Sequence, residues 1–177
     1  MLPPSHPVIA RYTIRHLHVA GLPRGSEIVL ARSDSFTPNT MATLKVGRRK
    51  ISTVGAINYA LVLDQPPYVA RRGHDCFLVF RTGSATTNCK EFVLIDAVHR
   101  KLKHVGAFQN GWAPRFRGSG IVYEYPRGES REEGRRIGKD IWLQKAWRWD
   151  SNRRAFSHSG TKVLSNLPPV PSWWFYH

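Results

Sequence analysis

Acidic residues are scarce in this chain: 12 Asp+Glu stand against 27 Lys+Arg, a formal net charge of +15 over 177 residues. That imbalance disfavours basic partners and favours polyanionic ones. Cysteine is nearly absent too. Two residues, Cys76 and Cys89, cannot make the disulfide framework of a small secreted domain. A loop centred near Ala85 would place their thiols out of register, so reduced buried thiols are expected; a bridge would need a tight turn at Thr82-Gly83. No apolar run approaches the ~20 residues that span a bilayer. No charged start, apolar middle and cleavage site marks a secretory signal. An intracellular place is favoured. The acid-poor start, with Arg11, Arg15 and Arg24 ahead of the first carboxylate, Glu27, leaves an organellar address open. There is no internal repeat and no long amphipathic helix.

Catalytic signatures are also missing. Gly118-Ser-Gly120 lacks the lysine and the helix that a phosphate-cradling loop needs. Asp64, Asp75, Glu91 and Asp96 show no paired-carboxylate pattern, and no local sequence joins either cysteine to a histidine. His16 and His18 would share one face of a strand, yet no third ligand has a recognisable spacing. The chain is therefore read as non-enzymatic, with no cofactor and no metal.

What is present is a sequence able to build a core, with 41% hydrophobic residues. A domain of this size buries roughly 70% of its unfolded surface. One β-rich domain is expected over 1–165, with an extended Pro/Trp-rich tail over 166–177. Strand signals lie within Val8 to Val19 and at Glu27–Ala31, Thr43–Val46, Ile51–Val54 and Asn58–Leu63. Cys76–Phe80 and Glu91–Ile95 are nearly continuous apolar runs, as in central strands covered on both faces. Later strands are expected over Gly120–Tyr125 and Asp140–Trp149, with Pro126–Lys139 as a charged loop or short exposed helix. About eight to nine short antiparallel strands point to an all-β fold, a single sandwich or a partly open barrel. The first strand, the turn Leu22-Pro23-Arg24-Gly25 and the strand after it resemble the start of a C2-type sandwich, without that family's acidic calcium loops.

The cations fall in short clusters: Arg48-Arg49-Lys50, Arg71-Arg72, Arg100-Lys101 with Lys103 and His104, Arg115 with Arg117, Arg135-Arg136 and Arg153-Arg154. Most adjoin Gly, Pro or Asn, so they belong on turns, where planar guanidinium groups can reach phosphates. The residues expected to hold nucleic acid are Arg48, Arg49, Lys50, Arg71, Arg72, Arg115, Phe116, Arg117, Arg135, Arg136, Arg153 and Arg154. Phe116, between two arginines, reads as part of an exposed strip. Trp147 and Trp149 alternate on one strand face, a core pattern first and a stacking surface second. The tail residues Trp173, Trp174, Phe175 and Tyr176 are expected to anchor a neighbouring protein.

The functional expectation is a basic, non-catalytic β module on nucleic acid, RNA in a ribonucleoprotein or packaged viral nucleic acid, with no membrane span. The alternative is a bacterial envelope protein-binding module such as an inhibitor or immunity protein. Ser119-Gly120-Ile121-Val122-Tyr123 resembles the Ser-Gly-x-x-Tyr motif of bacterial lysozyme inhibitors, which implies a β fold and a loop inserted into an enzyme cleft. A charge of +15 would repel a basic enzyme of that kind.

Overall fold

Two apolar runs in the middle of the chain decide the architecture, because strands without a polar face must be covered on both sides. The computed structural model describes residues 11–15, 17–32, 39–57, 60–62, 66–83, 88–111, 116–132 and 135–164; within them, the side chains of 56–57, 117–118, 127–132 and 135–141 are left undescribed. In chain order the elements are β1 (Arg11–Ile14), β2 (Ser26–Arg32), β3 (Thr40–Val46), β4 (Arg49–Ile57), β5 (Ala60–Val62), β6 (Tyr68–Arg72) and β7 (Asp75–Gly83). They continue with β8 (Asn88–Asp96), β9 (Lys101–Gln109), α1 (Phe116–Ser119), β10 (Ile121–Glu124), β11 (Arg127–Glu132), β12 (Arg135–Asp150) and β13 (Ala155–Leu164).

The fold is all-β, in three antiparallel sheets. The first has the order β1-β2-β3-β4. The middle sheet runs β5-β7-β8-β9, with β6 also paired to β7. The third is built on the long β12, which pairs with β10, β11 and β13. Alternation along β7 and β8 sends successive side chains to opposite faces. Leu78, Phe80, Val93 and Ile95 meet Ile28, Leu30 and Leu44 of the first sheet. Phe77, Val79, Phe92 and Leu94 meet Phe116, Val122 and Trp149 on the other side. The second face is aromatic: the Phe77 ring lies edge-on to Trp149 at 4.7 Å and to Phe116 at 5.1 Å. Edge-to-face contacts of this kind add to simple area burial.

Several expectations need correction. Residues 127–132 and 135–139 are strand, not loop or helix, because β11 and the start of β12 pair there, in a register that sets Glu132 opposite Arg135. Strands β6, β9, β11 and β13 bring the described strands to thirteen, above the eight to nine anticipated. The tip of the β3–β4 hairpin is only Gly47-Arg48, so Arg49 and Lys50 begin β4.

The Ser119–Tyr123 segment forms no protruding loop. Ile121–Glu124 is a strand paired with β12, and Gly120 is buried and donates its N–H to the Phe116 carbonyl at 3.0 Å. Gly120 also sits at φ 64°, a backbone conformation that favours glycine, and a side chain there would have to displace the Arg72 guanidinium. The tail from 166 onward, with Trp173, Trp174, Phe175 and Tyr176, lies outside the described residues, as do His16 and Arg115.

Candidate nucleic-acid interface

Sheet registers bring several turns to one end of the molecule. The β6–β7 turn (Gly73-His74) and the β8–β9 turn (97–100) share an end of the middle sheet, since Cys76 at the start of β7 stands opposite Ile95 at the end of β8. The β12–β13 turn (151–154) joins them through Arg154, whose Nη1 donates to Asp96 Oδ2 at 2.7 Å. The β3–β4 hairpin is held alongside by the Leu102 N–H, which donates to Ser52 Oγ at 3.0 Å across fifty residues of chain. That bond sets Arg49 and Lys50 against Arg100 and Lys101, and with His99 and Ile51 they line one open crevice of about 290 Å³.

Two of the turns are built alike. Each has four residues led by an aspartate: Asp96 Oδ1 accepts the His99 N–H at 3.2 Å, and Asp150 Oδ1 accepts those of Asn152 and Arg153 at 2.9 and 3.0 Å. Each closes on a left-handed residue, Arg100 at φ 52° and Arg154 at φ 49°. Glycine or asparagine fills that conformation at less cost than a long side chain. Arg154 has a structural use for its place, the bond from its guanidinium to Asp96, whereas Arg100 is exposed.

The described carboxylates are largely engaged in structure. Asp96 takes Arg154 and also His99 Nδ1 at 2.8 Å. Burial alone would raise its pKa; the hydrogen bonds from Arg154 and His99 outweigh that and hold the carboxyl well below its ordinary range. Asp75 Oδ2 accepts the Trp149 indole N–H at 2.8 Å, and Glu124 Oε2 that of Trp147 at 2.9 Å. Glu91, fully buried, accepts from Thr82 Oγ1 at 2.6 Å and is bonded to His104 Nε2 at 2.7 Å. Arg48, Arg49, Lys50, Arg100 and Lys101 are all exposed.

Of the residues expected to meet nucleic acid, Arg48, Arg49, Lys50, Arg71, Arg72, Arg153 and Arg154 stand on these turns or the strand ends beside them. Arg71 is exposed and donates to the His18 carbonyl. Arg153 is exposed, 3.8 Å from Asp150. Phe116 is a correction: it is 4% exposed and belongs to the aromatic core, because α1 turns its ring inward. The side chains of Arg117, Arg135 and Arg136 are not described. Trp149 is buried and Trp147 packs on the same core, so both serve the interior. Arg81 and Lys90 face one another across β7 and β8 and are buried, which withdraws two cations from the surface. Sequence reasoning grouped Arg100 with Lys101 but had no local signal for their meeting with Arg49 and Lys50.

Cys76 and Cys89 are free, buried thiols. Gly83 pairs with Asn88, which leaves Cys89 opposite Thr82 and Cys76 opposite Ile95. Burial pushes the Cys89 thiol up to about 11, helped by Glu91 and Glu124, and burial raises Cys76 as well. Both should therefore resist alkylation by iodoacetamide at pH 8 in the folded protein and react once it is unfolded. Rapid double labelling of the folded state, read by mass spectrometry, would contradict this placement.

Among the described residues no group of three or more His, Cys, Asp or Glu could hold a metal ion, and no helix is long and apolar enough to cross a membrane. No protein-family model, curated protein or solved structure matches this chain.

Proposed function

We propose that this protein is a non-catalytic module that binds nucleic acid, RNA above all, through the basic turns at one end of its sheets. The observation that carries the reading is the meeting of Arg49 and Lys50 with Arg100 and Lys101 around one crevice. Four cations on rigid strand ends can follow a phosphate backbone without reorganising. The left-handed and exposed Arg100 adds support, since strain tolerated at a turn is often tied to function. Phosphate contacts of this type give affinity without sequence reading.

The test is a salt titration with a fluorescent single-stranded RNA. Each phosphate held contributes about 0.7 to the slope of log K against log salt, so four contacts predict about a 50-fold loss of affinity between 50 and 200 mM. Binding that ignores salt, or no binding at 50 mM, would remove the proposal.

A further inference from the structure

A second cleft, of about 560 Å³, adjoins the basic crevice, and His99 lines both. Its volume falls within the range of about 300–1,000 Å³ usual for sites that take small organic groups. Its two sides are apolar. Val19 and Ala20 stand on one, from the loop before β2, and Ala97 and Val98 on the other, from the β8–β9 turn. Ala97 Cβ lies 3.3 Å from where a Cβ on Gly21 would be, which fixes how close these two segments come.

The polar groups around the cleft are arginines, histidines and two aspartates. Asp75 already accepts from Trp149, and Asp96 from Arg154 and His99. Arg71 and His74 complete the rim. The cleft thus offers apolar walls with two imidazoles and two guanidinium groups around them, next to a crevice suited to phosphates. Unstacked bases are bound by this combination of flat contact and edge donors. A base within a duplex could enter only by unpairing and leaving its stack, a cost that a single strand is spared.

Resting on the nucleic-acid reading, we propose that this cleft receives one unpaired nucleobase while Arg49, Lys50, Arg100 and Lys101 hold the neighbouring phosphates. The protein therefore prefers single-stranded nucleic acid to duplex, beyond what charge alone gives.

Fluorescence anisotropy with the full chain tests this on three probes: an eight-nucleotide single-stranded RNA, an abasic strand of equal charge, and the duplex of the same sequence. The RNA strand should bind about tenfold tighter than the abasic strand, the effect expected of one stacked base. Ala20→Leu, at an exposed turn residue, narrows the cleft and should bring the RNA strand down to the abasic level while leaving the abasic affinity unchanged. Val98→Ala, trimming a residue that is 87% exposed, should lower the preference about twofold. Equal binding of RNA and abasic strands, or a preference that survives Ala20→Leu, would overturn the pocket and leave phosphate binding standing. Failure of all three probes to bind at low salt would overturn the nucleic-acid reading, and the pocket with it.

Discussion

Replacing Arg49, Lys50, Arg100 and Lys101 together with alanine is expected to lower affinity for single-stranded RNA about 200-fold at 150 mM salt and to flatten the salt slope by about three units. The argument is one of additive phosphate contacts. Each cation that meets a phosphate releases counterions, so removing four removes both the affinity and the salt dependence it produced. All four residues begin or border strands and are exposed, so their loss should leave the fold intact. Arg100→Gly is the control for fold. Glycine relieves the left-handed turn, so this variant should be as stable as the parent or more so while binding less tightly. A fourfold variant that keeps its salt slope would show that phosphates are held elsewhere, and the crevice would lose its assigned role.

Phe77→Ala should have the largest effect on stability, a loss of about 3–5 kcal/mol. Phe77 is fully buried, and its ring touches contributions from three different parts of the chain: Phe92 of the same sheet at 6.4 Å, Phe116 of α1 at 5.1 Å and Trp149 of the third sheet at 4.7 Å. None of these can move in to fill the space without giving up its own contacts, so a cavity persists. Urea denaturation followed by tryptophan fluorescence reads the change. A loss below about 1.5 kcal/mol would mean that the third sheet does not pack on the middle one as described.

The strands most legible in the sequence were those with no polar face. Cys76–Phe80 and Glu91–Ile95 could be placed centrally because an uninterrupted apolar run has no other stable location. Strand β9 was hidden by Lys101, Lys103, His104 and Gly106, and its register with β8 shifts between Phe92 and Val93, which breaks the two-residue period. The charged stretch after Pro126 looked like loop because its residues lack β propensity. Its strand character is fixed by pairing along β12, a tertiary matter.

The site was legible as clusters and not as a place. Arg48-Arg49-Lys50 and Arg100-Lys101 are visible as basic pairs and triplets, but their adjacency depends on Ser52 meeting Leu102. Phe116 misled for a related reason: flanking arginines suggest exposure, whereas a single helical turn reverses which residue faces inward.

A sheet with two dry sides ties the fates of its neighbours together. If either outer layer peeled away, the phenylalanines, leucines and valines beneath it would be wetted with no polar alternative to present, so opening one layer forfeits one of the two apolar cores. The basic end inherits this: turns anchored in all three layers keep their spacing as long as both apolar interfaces hold, so an anion arriving there would meet an arrangement already formed.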